Sequence, residues 1–121
     1  MAKISFGSRK KEQKERKLQH AIVDFFSLKG IFCWVDFQPN VPRGTVGHYG
    51  RHWTSKGVSD IIGSHNFGKG YEEPFVMECK IGKNKLTEFQ ENFQKRARLH
   101  GWRTFKATSL EEAAAHLGLK L

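Results

Sequence analysis

Two carboxylates and a lysine lie in two short apolar runs near the middle of the chain. The first run, Val58 to Gly63, contains Asp60, and the second, Phe75 to Ile81, contains Glu78 and Lys80. Both runs are too short for a stable helix and are bounded by Gly or Pro, which predicts two strands. Alternation places Glu78 and Lys80 on one strand face, and pairing of the strands would bring Asp60 beside them. Two hard oxygen ligands next to an ammonium indicate a divalent-cation site for phosphodiester hydrolysis.

These residues also match a family pattern in their order. The chain resembles the PD-(D/E)XK nucleases, in which an Asp on one strand is followed by Glu-x-Lys on the next. It resembles in particular the VRR-Nuc branch, in its stand-alone phage and bacterial form, which is similar to Holliday-junction resolvases. The segments that carry the resemblance are Gly57-Val58-Ser59-Asp60, Glu78-Cys79-Lys80, Leu86-Thr87-x-x-Gln90 and Gly101-Trp102. The family has Pro where this chain has Ser59, a position that shapes the backbone and supplies no chemistry.

The resemblance implies a fold and a set of roles. The fold is a restriction-endonuclease-like α/β domain of order αβββαβα, with a mixed four-stranded sheet flanked by helices. Asp60 and Glu78 are expected to hold Mg²⁺ or Mn²⁺ together with the backbone carbonyl of Cys79. Lys80 is expected to orient the attacking water or to stabilise the transition state. A Glu on the first helix often completes the metal environment in such nucleases, and Glu15 is the candidate here.

The first helix is predicted to begin at Ser8, after a loose tail at residues 1–7. Ile22 and Phe26 recur at helical spacing, and Gly30 is a stop signal. Glu15 falls on the same inward stripe. An inward Glu needs a partner, which a cation or a neighbouring lysine would supply. A surface Glu paired along the helix is the alternative, and the sequence favours neither.

Three further elements complete the predicted architecture. Ile31 to Gln38 alternates as a strand. Thr87 and Gln90 form a capping box that begins a helix, and Phe89 is expected on its buried stripe. Gln90 would also lie close to the metal site, so a second role in catalysis is predicted for it. Residues 102–107 then form a strand parallel to the one that carries Glu78, and a short capped helix follows.

Composition favours a polyanionic partner. The 121 residues form a single predicted domain (1–121) in which 21 Lys and Arg outnumber 12 Asp and Glu, giving a net charge of +9. Such an excess is typical of nucleic-acid binding, although a generally basic surface is the alternative. Cys33 and Cys79 form no C-x-x-C and indicate buried thiols in a reducing compartment. Without a predicted membrane span or secretory signal, the chain is expected to be soluble in the cytoplasm of a bacterial or phage-infected cell.

Basic and aromatic side chains that could contact DNA occur in three segments. They are Arg9, Lys10, Lys11, Lys14 and Lys17 on the first helix; Arg43, Arg51, Trp53 and Lys56 in a Gly-rich loop; and Lys83 and Lys85 after the second strand. Interleaved bases and aromatics suit phosphates and unpaired nucleotides. The helix bases could instead form a solvated face, and Trp53 could pack onto the core.

The sequence therefore predicts a metal-dependent, structure-selective DNA endonuclease. Its expected substrate is a four-way (Holliday) junction or related branched DNA, cut by a homodimer without a membrane partner. Two alternatives remain open at this point. One is a non-catalytic nucleic-acid-binding module that keeps a nuclease-like fold, and the other is a monomeric nuclease that acts on flaps or nicks.

Overall fold

The computed structural model describes residues 6–36 and 57–121, and for residues 6–9 and 12 it describes the backbone only. Within these ranges the elements are α1 (Phe6–Leu28), β1 (Phe32–Val35), β2 (Ile61–His65), β3 (Glu73–Cys79), α2 (Glu88–Leu99), β4 (Arg103–Ala107) and α3 (Leu110–His116). Their order, αβββαβα, is the predicted one.

The strands form one mixed sheet in the order β1-β2-β3-β4. β1 pairs with β2 and β2 with β3 in antiparallel fashion, whereas β3 and β4 are parallel. A parallel pair needs a crossover connection, and α2 provides it. The prediction of an α/β domain with a mixed four-stranded sheet is thereby confirmed.

The apolar core lies on one face of the sheet, beneath α1 and α3. Alternation along β3 buries Phe75, Met77 and Cys79 on this face. From α1, Ile22 and Phe26 pack against them at helical spacing, and α3 adds small and branched side chains. The opposite face of β3 carries Glu78 and lies beneath α2.

Helix α1 begins at Phe6, two residues before the predicted start, so residues 6 and 7, which were predicted as tail, are helical. The stop at Gly30 is confirmed: it has φ +80°, and the next amide, Ile31 N–H, donates to the Phe26 carbonyl at 3.0 Å. This six-to-one bond is the Schellman arrangement that glycine permits. None of the helices in the described ranges is long and apolar enough to cross a membrane.

Strand β2 begins at Ile61 and runs to His65, later than the predicted run from Val58. Asp60 therefore lies one residue before the strand, although its carbonyl still accepts a hydrogen bond from Asp36 N–H at 2.7 Å. β1 covers Phe32–Val35, and the end of the predicted strand, residues 37–38, lies outside the described residues.

Helix α2 turns a different side to the sheet from the predicted one. Phe89 is 57% exposed, whereas Gln94 is buried and donates from Nε2 to the Phe105 carbonyl at 2.9 Å. Gln90, four residues earlier, faces the same way and reaches Glu78. The sheet beneath α2 presents acceptors, a carboxylate and a backbone carbonyl, and buried acceptors require donors. Glutamine amides satisfy them where a phenylalanine ring could not.

Candidate metal centre

The antiparallel pairing of β2 and β3 brings Asp60 beside Glu78. Ile61 lies opposite Met77, so one further step along the same register sets Asp60 opposite Glu78. Asp60 Oδ2 accepts a hydrogen bond from Cys79 N–H at 2.8 Å. The carboxylate that precedes β2 and the one on β3 thus lie opposite each other at one end of the sheet.

Gly57 fixes the approach of the chain to Asp60. It has φ +77°, a conformation that favours glycine, and a Cβ there would overlap the Phe89 carbonyl and lie 2.6 Å from Gln90 N. The segment before Asp60 therefore packs directly on the first turn of α2. Ser59 is buried within this segment, and its hydroxyl has no hydrogen-bond partner among the described residues, which agrees with a position that shapes the backbone.

Glu78 is only 3% exposed, and its two carboxylate oxygens differ. Oε1 accepts a hydrogen bond from Gln90 Nε2 at 2.8 Å. Oε2 is buried and has no hydrogen-bond partner among the described residues. A buried carboxylate oxygen without a donor is costly, because it has lost water and gained nothing in exchange. Glu78 is therefore prepared to accept a cation or a proton at Oε2.

Gln90 combines the two positions predicted for it. Its Oε1 accepts from Thr87 N–H at 2.8 Å, and its own N–H donates to Thr87 Oγ1 at 3.2 Å, which is the capping box. Its Nε2 donates the hydrogen bond to Glu78 Oε1. One side chain thus ties the start of α2 to the carboxylate pair.

Burial raises the pKa of both carboxyl groups. For Asp60 this effect outweighs the hydrogen bond from Cys79 N–H, the interaction with the protonated Glu78 carboxyl and the positive charge of Lys80, all of which lower its pKa. Burial, then the negative charge of Asp60 and a proton shared with it, raise the pKa of Glu78 from its ordinary 4.5 to about 9, against the opposing charge of Lys80. Two adjacent charges of the same sign in a dry environment require compensation. At neutral pH the site therefore attracts a proton or a cation.

Lys80 follows β3 directly and is almost fully buried. Its backbone N–H donates to the Ala107 carbonyl at 3.0 Å, which extends the β3–β4 pairing by one residue and fixes its position. Its positive charge lowers the pKa of both Asp60 and Glu78. The three residues on which the prediction depends are therefore neighbours in the structure.

Helix α1 brings Gln19 and Glu15 near the site. Gln19, which was not predicted here, lowers the pKa of Asp60, although less than the Cys79 N–H does. Glu15, one turn earlier, is half-buried, and its negative charge joins burial and the charges of the carboxylate pair in raising the pKa of the Cys79 thiol. The helical stripe that Gln19 shares with Glu15 was the available signal.

Some of the candidate DNA contacts lie among the described residues. Lys10, Lys11, Lys14 and Lys17 are exposed on α1, and Lys83 and Lys85 are exposed in the segment that joins Lys80 to α2. The side chain of Arg9 is not described. Arg43, Arg51, Trp53 and Lys56 lie outside the described residues.

The arrangement fits a hard divalent cation. The described part of the chain contains no group of three or more His, Cys, Asp or Glu side chains that could hold a metal ion. Mg²⁺ commonly uses only one or two carboxylates and keeps several waters, so the pair Asp60 and Glu78 meets its needs. The unpartnered Glu78 Oε2 is the atom that such an ion would satisfy. The Cys79 thiol is not available as a soft ligand, because it is buried and its pKa is raised.

No known protein family model, curated protein or solved structure matches this chain. The function of the site is therefore inferred from its geometry.

The raised pKa of Glu78 predicts a stability that falls with pH. Between pH 4.5 and about 9 the folded protein binds more protons at Glu78 than the unfolded chain does. Its free energy of unfolding therefore decreases as pH rises through this range. Glu78→Gln should remove the effect and, without divalent cations, stabilise the protein at pH 8 by on the order of 5 kcal/mol, since each pKa unit is worth about 1.4 kcal/mol.

Urea unfolding in EDTA at pH 5 and pH 8 measures this difference. Glu72→Gln, at an exposed position in the β2–β3 loop, is the matched control and should leave the pH profile unchanged. Parallel pH profiles for the wild type and Glu78→Gln would contradict the prediction.

Proposed function

We propose that this protein is a metal-dependent, structure-selective DNA endonuclease of the restriction-endonuclease-like fold, related to the VRR-Nuc nucleases. One observation carries the proposal: Glu78, buried beside Asp60 and next to Lys80, has one carboxylate oxygen held by Gln90 and the other without a partner. A solely structural carboxylate pair would be expected to share its charge with donors on all sides. The element order and the placement of Asp60 and Glu78-Cys79-Lys80 support the family relationship.

Asp60, Glu78 and the backbone carbonyl of Cys79 would hold Mg²⁺ or Mn²⁺, with Glu15 near enough to add negative potential. When bound, the ion would supply an activated water and neutralise charge on the phosphate. Asp60 is kept in place by Cys79 N–H, and Glu78 by Gln90. The chain itself thus orients both carboxylates before any ion arrives.

Lys80 provides the remaining chemistry. Its ammonium is a point charge on a backbone fixed by the Ala107 carbonyl, and it lies close enough to lower the pKa of both acids. In the proposal it stabilises negative charge on the phosphate or orients the attacking water. The water attacks phosphorus in line with the leaving oxygen in a single step, without a covalent intermediate on the protein.

DNA is the proposed substrate because the acidic centre is set in a basic chain. The net charge is +9, and exposed lysines lie on α1 and in the segment before α2. Contacts of this kind bind phosphates without reading bases. We therefore propose selection by DNA shape, at four-way junctions or related branched DNA, with little preference for sequence.

Incubation of the pure protein with branched and linear DNA, in Mg²⁺, Mn²⁺ or EDTA, tests the proposal directly. Cleavage of branched DNA is expected in either cation and none in EDTA. Binding without cleavage under every condition would instead favour a nucleic-acid-binding module. Cleavage at one short sequence in linear duplex DNA would contradict selection by shape.

We further propose that the nuclease is a homodimer, which would present two sites to two strands of a junction. β1 is an edge strand of the described sheet, and its side chains Phe32 and Trp34 are 70% and 43% exposed. Their rings meet edge to face with centroids 5.3 Å apart, forming an apolar surface that a second copy could cover.

Light scattering is expected to give twice the 13.9 kDa mass of one chain. Strand mapping on a synthetic junction should show cuts in two strands of like polarity. Phe32→Ser combined with Trp34→Ser should shift the mass toward one chain, whereas Tyr71→Ser, at an exposed aromatic in the β2–β3 loop, should not. A monomeric wild type, or cuts confined to one strand, would favour a flap or nick nuclease.

A further inference from the structure

A cavity opens at the end of the sheet opposite the carboxylate centre. Its volume is about 550 Å³, and Phe67, Arg103 and His116 are among the residues that line it. Such a volume is typical of sites that hold a small ligand. Glu73, which contacts Arg103, and Glu78 lie five residues apart on β3, a distance of about 17 Å along a strand. The cavity is therefore separate from the candidate metal centre.

Arg103 is fixed in the wall of this cavity. Its guanidinium lies over the Phe67 ring, 4.3 Å from the ring centroid, and its Nε donates to Glu73 Oε2 at 2.9 Å. Phe67 has φ +49°, which is unusual for a bulky side chain, in a turn where Gly68 N–H donates to Asn66 Oδ1 at 2.9 Å. Within the described residues the two Nη nitrogens of Arg103 make no hydrogen bond. They are therefore free to bind a ligand.

His116 adds a second planar group to the same wall. Its ring stacks on Phe105, with centroids 4.9 Å apart and an angle of 25° between the planes. Its Nε2 donates to the Lys106 carbonyl at 2.8 Å, which fixes the orientation of the ring. The two supporting rings, Phe105 and Phe67, are themselves neighbours at 5.9 Å. Arginine and histidine thus lie side by side, each supported by a phenylalanine.

The charge of this wall favours an anion. Lys69 and Arg103 both pair with Glu73, at 2.7 and 2.9 Å, which leaves one positive charge in excess. Their hydrogen bonds lower the pKa of Glu73, so its carboxylate stays ionised at neutral pH. Arginine nitrogens bind phosphate oxygens, and unpaired bases stack on aromatic side chains such as histidine. An unpaired nucleotide offers both groups in one ligand.

We propose that this cavity binds an unpaired nucleotide, with its phosphate on the Nη nitrogens of Arg103 and its base stacked on His116. The cavity is open to solvent, because Asn66, Gly68 and His116 at its rim are exposed, so a nucleotide within a longer strand can enter. The inference goes beyond the proposed cleavage function and requires no cation.

Nuclear magnetic resonance of the ¹⁵N-labelled full chain in EDTA tests the proposal, with thymidine 5′-monophosphate as the probe. Saturable shifts are expected at the Arg103 Nε–H and at the backbone amides of Phe67 and His116, and not at Asp60 or Cys79. Thymidine alone and inorganic phosphate alone should each bind about tenfold more weakly or less, since each makes only one of the two contacts. Equal affinity for either fragment, or the absence of shifts at the cavity, would overturn the proposal.

Substitutions in the wall separate recognition of a nucleotide from general attraction of an anion. Arg103→Lys keeps the charge beside Glu73 but removes the planar fork, and His116→Ala removes the stacking surface. Each should weaken binding of the nucleotide about tenfold. Arg98→Lys is the matched control, because Arg98 is exposed on α2 and donates to Thr104 on the other face of β4.

The amide spectrum away from the cavity shows whether each variant is folded. His116 is exposed at the end of α3, so His116→Ala decides the matter if Arg103→Lys does not fold. Wild-type affinity in His116→Ala, or a loss of affinity in Arg98→Lys as large as in Arg103→Lys, would overturn the proposal. Cleavage of DNA by a protein that binds no nucleotide here would overturn this inference alone. Nucleotide binding by a protein that cleaves nothing would overturn the proposed function alone.

Discussion

Replacing Asp60, Glu78 or Lys80 with alanine should lower the rate of DNA cleavage by about a hundredfold to a thousandfold, since preorganised charges of this kind are each worth that much. Asp60→Asn and Glu78→Gln should act as strongly, because both keep the side-chain shape and remove the charge that holds the cation. DNA affinity should change little, since it depends on phosphate contacts spread over the surface. Single-turnover cleavage of a labelled junction measures the first effect, and a gel-shift titration measures the second.

Further variants test whether the loss of cleavage comes from the site itself. Lys95→Ala, exposed on α2, should cleave at the wild-type rate. Glu78→Gln is the most informative variant, because it is expected to be inactive and at the same time more stable at pH 8. An inactive but destabilised protein would indicate a folding defect in place of a lost ligand. Near-wild-type cleavage by any of the three alanine variants would show that the site is wrongly assigned.

DNA binding should weaken steeply with salt. If six to ten phosphates are contacted, affinity should fall by about 10³- to 10⁵-fold between 50 and 200 mM salt, with a log–log slope of about 0.9 per contact on duplex DNA. Replacing Lys11, Lys14 and Lys17 with glutamine should reduce this slope by up to three contacts. Cleavage of bound DNA should proceed at an unchanged rate, because these lysines are exposed on α1 and do not touch the carboxylate pair.

Fluorescence anisotropy across a salt series gives the slope. Lys95→Gln, on the helix that covers the other sheet face, is the matched control and should leave it unchanged. A slope near zero for the wild type would contradict DNA as the partner. An unchanged slope in the triple variant would place the phosphate contacts elsewhere, with Lys83 and Lys85 as the next candidates.

The sequence by itself determined the order of elements and the neighbourhood of Asp60, Glu78 and Lys80. These features follow from local rules: period-two alternation sets which residues share a strand face, and a capping box with a Gly stop sets where helices begin and end. Gln90 was predicted at the site for the same reason, since its distance from Glu78 along the chain is short.

Only the tertiary structure decided how the carboxylates are held and which charges they bear. The donors that α2 turns toward the sheet in place of Phe89 and the unpartnered Glu78 Oε2 both depend on how helices pack across the sheet. Such contacts join residues far apart in the chain. Rotation of a helix about its axis by a fraction of a turn would replace one set of contacts with another. The raised pKa of Glu78 is likewise a property of burial next to Asp60, which no spacing along the chain specifies.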